Sequence, residues 1–253
     1  MQIPLFKLEK LTVEKKSKKV LEIKKFEIHR GAVYCITGKI ASGKTLLMDI
    51  LSQRIKPTKG SMEFDGKLIR DVSKKDFNDQ VAVIPQGFKV PRKSVRKFMT
   101  KFIGQYSHMK GRVEKKLSDI VKKMGIEDLM DLKMKELTPG QLRQVYLATQ
   151  IAADTKVMFI DEIEQHLSGD DLNTLVRILY RKSNYDGVTI VITTLNPDKI
   201  KKLVSVFITM NNGRISSVRS QKKSTSTRKK ASPSNKSPNE SKNKQHKNTK
   251  QKS

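Results

Sequence analysis

Gly38-Lys39-Ile40-Ala41-Ser42-Gly43-Lys44-Thr45 follows the pattern G-x-x-x-x-G-K-[ST]. These residue types suit one chemistry. Glycines let the backbone curl until its N–H groups face phosphate oxygens, and a helix start behind them adds a dipole that favours anions. Lys44 would neutralise the β- and γ-phosphates, and the Thr45 hydroxyl would ligate Mg²⁺. A second set is Val157-Met158-Phe159-Ile160-Asp161-Glu162, four apolar residues followed by two carboxylates. At the carboxyl end of a parallel strand such acids line the ligand crevice. Asp161 is placed to hold Mg²⁺ through water, and Glu162 to polarise an attacking water. Alone, two acids after a strand are explained equally well by solvation. The phosphate loop upstream supplies the need for an acidic metal ligand.

The elements around these residues follow from periodicity. Ala32 to Thr37 reads as a short strand, and Leu46, Leu47, Ile50 and Leu51 lie at helical spacing after the loop. Strand, glycine loop and helix are therefore in the order the chemistry needs. Val20–Ile23 with Phe26–Ile28, Val81–Ile84, Val157–Ile160 and Val188–Ile192 also read as strands. Ser61–Phe64 and Lys67–Ile69 are joined at Asp65-Gly66, and Asn212-Gly213 marks a two-residue hairpin turn before Arg214. Ser94 to Lys135 is mostly helical with lysine-rich faces. Strands alternating with helices predict an α/β fold, a largely parallel sheet covered on both faces.

The chain carries 53 Lys plus Arg against 25 Asp plus Glu, a formal charge of +28. Twelve basic residues and one acidic lie between Arg219 and Ser253, in a stretch of Lys, Ser, Asn and Gln with no aromatic. Such a segment cannot bury enough surface to offset ordering entropy, so 219–253 is expected to be a disordered basic tail and 1–218 the folded domain. The charge suits a polyanion (RNA, DNA or anionic lipid), or simply a solvated surface. Cys35 is the one cysteine, which excludes a disulfide framework. No apolar run approaches the roughly 20 residues of a membrane span, and the first residues lack a secretion pattern. A cytoplasmic protein is the expectation.

Between the two chemical motifs lie Gln86, in Val83-Ile84-Pro85-Gln86, and Leu137-Thr138-Pro139-Gly140-Gln141. With these the order resembles that of the ATP-binding cassette (ABC) family over about residues 5–218. The resemblance implies a P-loop NTPase of ABC type: a mostly parallel sheet, an antiparallel β subdomain and a helical subdomain at about residues 87–150. It implies ATP and Mg²⁺ as ligands, with Gly38 to Thr45 on the phosphates and Thr45, Gln86 and Asp161 on the metal. Glu162, Gln86 and the residue in the switch position, Thr194, would be catalytic. Leu137, Thr138, Gly140 and Gln141 would reach the γ-phosphate held by a second cassette. From the residues themselves, Thr138 and Gln141 form a capping box, with Pro139 at the first helical position.

The departures are specific. The family's usual signature is Leu-Ser-Gly-Gly-Gln, so Thr138 replaces Ser and Pro139 replaces Gly. No aromatic stands between Val13 and Lys18 to stack on adenine. After the acids the family has Pro-Thr-Ser-Ala-Leu-Asp, and here the run is Ile163-Glu164-Gln165-His166-Leu167-Ser168. Thr194 replaces the switch histidine, and slow hydrolysis with binding kept is the expectation. Two functions are implied. One is the ATPase subunit of an ABC transporter, working with a second cassette and a separate membrane-spanning permease, peripheral on the inner membrane face. The other is a soluble ABC ATPase acting on RNA, ribosomes or DNA.

Overall fold

The computed structural model describes residues 3–87 and 89–221. The basic tail expected from residue 219 falls outside them from residue 222 onward. Two sheets organise the described residues. The first is antiparallel, with β1 (Phe6–Lys15), β2 (Lys18–Ile28), β4 (Lys59–Phe64) and β5 (Lys67–Leu68) in the order β2-β1-β4-β5. The second holds β3 (Val33–Thr37), β6 (Val81–Ile84), β7 (Val157–Ile160), β8 (Thr189–Thr193), β9 (Val206–Asn211) and β10 (Arg214–Ser220). Its order is β10-β9-β3-β8-β7-β6. Every pair is parallel except the β9–β10 hairpin at the edge. Arg219 and Ser220 pair with Phe207 and Val206, so the domain runs two residues past the expected boundary.

Both faces of the strands β3, β6, β7 and β8 are buried, and successive side chains of one strand serve different cores. Met158 and Ile160 of β7 join the core formed by α3 (Val95–Ile103), α4 (Val113–Met124), α5 (Pro139–Ala152) and α6 (Gly169–Asn184). Val157 and Phe159 face the opposite core, with α1 (Lys44–Leu51), α2 (Lys74–Gln80) and the antiparallel sheet. Phe6, Phe64, Phe77 and Phe159 link the two sheets, with ring centroids 5.0–5.8 Å apart. Each such pair contributes about 0.5–1.5 kcal/mol beyond its burial.

β1, α2 and α6 are elements that periodicity did not mark. In β1 the alternation of Phe6 and Leu8 against Lys7 and Glu9 breaks at Lys10, whose φ is 49°. Leu11, Thr12 and Val13 are then all buried, so no period of two survives. Ser168 caps α6 by accepting from Asp171 N–H at 3.1 Å, which gives the residue in the family's Asp position a local job.

One carboxylate ties three helices together. Asp154, just after α5, pairs with Lys116 of α4 at 2.6 Å and with Lys182 of α6. Burial pushes the Asp154 pKa up, but the hydrogen bonds and charges of both lysines outweigh it and hold it down at about 2. A folded pKa below the unfolded value of about 3.9 gives stability that is present above the latter and lost as pH falls toward 2. Urea midpoints from pH 5 to pH 2 should therefore fall further in the wild type than in Asp154→Asn. The difference should be about 1–2 kcal/mol after discounting for partial exposure. Parallel curves would remove this tie.

Candidate functional site

β3 ends at Thr37, and the chain turns at Gly38 with φ 144°. A Cβ there would stand 2.4 Å from the Met210 carbonyl and 2.7 Å from Ser42 Oγ, so only glycine brings the loop this close to β9. The loop returns through Ala41 (φ 63°) to Gly43, the left-handed N-cap of α1. Ser42 is fixed at the turn of the β9–β10 hairpin, its carbonyl accepting from Gly213 N–H at 2.9 Å. Lys44 is buried, and its Nζ donates to the carbonyls of Gly38 (2.8 Å) and Lys39 (2.9 Å), which closes the loop around its own ammonium. Lys39, Ile40, Ala41 and Thr45 are exposed.

The loop's donor chemistry fits a phosphate. α1 has no side-chain cap and no acidic residue in its first turn, so its leading N–H groups lack the partners helix starts normally recruit. Ser42 Oγ is buried without a hydrogen-bond partner.

The acidic strand end lies two strands away. β8 sits between β3 and β7, with Ile36 level with Thr193 and Ile160 level with Ile192. The register places Asp161 beside Thr193, and the hydroxyl of Thr193 donates to the Asp161 carboxylate. The same hydroxyl accepts from Glu162 N–H at 2.7 Å. Glu162 adopts φ 48°, a left-handed turn that ends the strand's direction at this residue. Thr193 is fully buried, and it holds the Asp161 carboxylate and the backbone of Glu162. Its sequence signal is a hydroxyl that follows the apolar run Ile190-Val191-Ile192.

Arg143 is the second residue that sequence reasoning missed. It is fully buried on α5. Its guanidinium donates to the carbonyls of Pro85 (2.7 Å), Asp161 (2.7 Å) and Glu162 (3.1 Å). Burial lowers its pKa to about 10, against the charges of Asp161, Glu162 and Glu164, so it stays protonated at neutral pH. One side chain thus joins the signature helix, the segment of Gln86 and the acidic strand end. Gln86 is half-buried beside that guanidinium's anchor at Pro85.

At the start of α5, Thr138 Oγ1 accepts from Gln141 N–H at 3.3 Å and Gln141 Oε1 accepts from Thr138 N–H at 3.0 Å. This is the expected capping box. The helix buries Val145, Ala148 and Ile151. Gly140 lies against the segment after β7, where a Cβ would be 2.9 Å from the His166 carbonyl. The signature therefore rests on residues 163–168 and the phosphate loop on β9–β10. Among the described residues no hydrogen bond joins Leu137, Thr138, Gly140 or Gln141 to Gly38–Thr45.

Thr194, the residue in the switch position, follows directly on β8. It is 1% exposed, and its hydroxyl donates to Glu164 Oε1 at 2.8 Å. That proton is not free for a phosphate in this arrangement. Cys35 is also buried, and burial with the nearby Glu164 charge pushes its thiol up to about 12, out of nucleophilic range.

Among the described residues no group of three or more His, Cys, Asp or Glu could hold a metal unaided. No described helix is long and apolar enough to cross a membrane.

Two comparisons with curated relatives bear on this arrangement. The methionine import ATP-binding protein MetN of Lactobacillus johnsonii is 25% identical over 217 residues, 82% of this chain and 62% of that protein. The petrobactin import ATP-binding protein YclP of Bacillus subtilis is 26% identical over 202 residues, 78% of this chain and 80% of that protein. Solved structures share the fold. The structure of cbiO1 from Clostridium perfringens, part of the ABC transporter complex cbiONQ, superposes with a TM-score of 0.73 at 24% identity, over 86% of this chain and 88% of that one. The cassette MJ0796, a dimer in a post-hydrolysis state with ADP and Pi, gives 0.75 at 18% identity, over 85% and 98%. The family model described as ABC transporter matches residues 21–165. That match spans more than half of the chain and contains the loop, Gln86, the signature and both acids, and on it the chain belongs to the ABC transporter family.

Proposed function

We propose that this chain binds ATP with Mg²⁺ and hydrolyses it as the cytosolic ATP-binding subunit of an ABC transporter. The observation that carries this reading is the juxtaposition across β3, β8 and β7. An uncapped helix start and a buried lysine stand on one side, and on the other the Asp161 carboxylate and the Glu162 backbone, both held by the Thr193 hydroxyl. Bound magnesium would supply charge neutralisation at the phosphate oxygens. Gly38 to Thr45 hold the phosphates, with Lys44 as the counter-charge. Thr45, Asp161 and Gln86 are the metal-side ligands. Glu162 accepts hydrogen-bond contact from the attacking water and takes its proton.

Leu137, Thr138, Gly140 and Gln141 act on the nucleotide of a second cassette. Ile40 is 85% exposed on the phosphate loop and Leu195 is 55% exposed beyond β8. Apolar side chains held in water after β3 and after β8, at the carboxyl end of the sheet, suit a partner that covers them. The permease is a separate polypeptide in this reading. Both curated relatives are named as import ATP-binding proteins, which supports transport over the RNA- or ribosome-directed alternative. Their cargoes differ, so no cargo is assigned.

The test is recovery of the chain from membranes. A multi-span protein should come with it, and magnesium-dependent ATP turnover of that complex should fall at least about 100-fold in Glu162→Gln. Recovery of RNA alone, washing off with salt, would replace transport by the soluble reading.

A further inference from the structure

The loop after β8 is an anion nest that is already occupied. Leu195 N–H and Asn196 N–H, consecutive on the chain, converge with the Thr194 hydroxyl on one oxygen. That oxygen is Glu164 Oε1, at 2.8, 3.3 and 2.8 Å from Leu195 N, Asn196 N and Thr194 Oγ1 respectively. Asn196 N–H also donates to Thr194 Oγ1 at 2.9 Å, which holds the three donors in one curl. Successive N–H groups of this kind attract carboxylates and phosphates alike.

Position makes the occupant significant. Thr194 directly follows the strand that separates the phosphate-loop strand from the acidic strand, in a ladder that sets Ile36 level with Thr193 and Ile160 level with Ile192. The nest thus stands at the carboxyl end of the middle strand, between the phosphate loop and the acidic pair, the end of the sheet at which the proposed nucleotide lies. Glu164 is also an imperfect guest. Its second oxygen, Oε2, is buried without a hydrogen-bond partner. A buried acceptor left unpaired offsets part of what the first oxygen gains, so the carboxylate is held less firmly than its three bonds suggest.

We infer that Glu164 is an internal anion that occupies the nest in place of a nucleotide's γ-phosphate, and so positions the loop of Thr194 away from the nucleotide. This rests on the nucleotide reading above. It makes Glu164 a positioning residue acting through residues 194–196. With the nest filled, the γ-phosphate gains little there, and ATP and ADP bind with similar affinity. Emptying the nest restores discrimination between them.

The experiment measures dissociation constants of Mg-ATP and Mg-ADP for the full chain by competition with a fluorescent nucleotide, in wild type, Glu164→Ala and Glu164→Gln. Glu164→Ala should raise the preference for ATP over ADP by about tenfold, the size of one charge-assisted contact. Glu164→Gln keeps the shape and a weaker acceptor, and should raise the preference less. If Glu164→Ala does not fold, the Gln variant alone decides the direction. A merely structural role would weaken both nucleotides together and leave their ratio fixed, which would overturn the inference. An unchanged or lowered ratio with tight wild-type binding overturns it while leaving the nucleotide site intact. Absence of nucleotide binding in the wild type overturns both.

Discussion

Lys44→Ala abolishes magnesium-dependent nucleotide retention. The expected rise in dissociation constant is about 100-fold or more, because a charge-assisted contact to a phosphate is lost in a sheltered site. The geometry adds a second loss. The Lys44 ammonium bonds the carbonyls of Gly38 and Lys39, so its removal also releases the curl that aims the loop's N–H groups. Global stability should change little, because no other element is anchored to that ammonium among the bonds described. Equilibrium dialysis with and without magnesium measures the effect. Equal retention by wild type and variant would end the nucleotide reading.

The second large effect belongs to Arg143. Its three carbonyl acceptors lie in two segments that are also joined by the β6–β7 ladder and the Asp161 N–H bond to Ile84. Arg143→Met keeps the apolar stem and removes the fork. The expected cost is about 3 kcal/mol, since each charged donor contributes about 1.5–3 kcal/mol and one or more buried carbonyls are left unpaired. Turnover should fall by at least about 100-fold, because Glu162 and Gln86 lose their common anchor and small displacements at a reacting centre are expensive. Nucleotide affinity should stay within about threefold, because the phosphate loop is fixed elsewhere, at β9–β10 and through Lys44. Arg143→Lys keeps the charge without the fork and should recover stability better than turnover. Thermal melts, nucleotide titration and steady-state turnover separate the three quantities. Full turnover in Arg143→Met would show that the anchor is dispensable.

These two residues show where sequence reading succeeds and where it stops. Lys44 is legible because its role is local. Eight consecutive residues define the loop, and a strand and a helix flank it. The turns at Asp65-Gly66 and Asn212-Gly213 are legible for the same reason, both with left-handed φ at each central residue. So is the Thr138–Gln141 capping box, which spans four residues. The strands β3, β6, β7 and β8 follow from short apolar runs whose faces are both buried. Arg143, Thr193 and Glu164 are different. Arg143 meets Pro85 across 58 positions, and Glu164 meets Leu195 across 31. Nothing in the immediate neighbourhood of Arg143 separates a buried fork from a solvated cation on a helix. Glu164 likewise reads as one more acid after a strand, and only the register of β7 against β8 sets it under the Thr194 loop. The residue in the switch position is identified by alignment of motifs, but what its hydroxyl does is decided by a partner that the motif does not contain.

Cys35 has a practical consequence. It is the chain's one thiol, it lies at the centre of β3 with no exposed surface, and its raised pKa keeps it protonated under ordinary labelling conditions. The native sequence therefore serves as its own unreactive background for maleimide chemistry. A cysteine introduced at an exposed position such as Ile40 or Thr138 would carry the only probe. Paired spectroscopic labels could then follow the approach of two cassettes without first stripping the protein of sulfur.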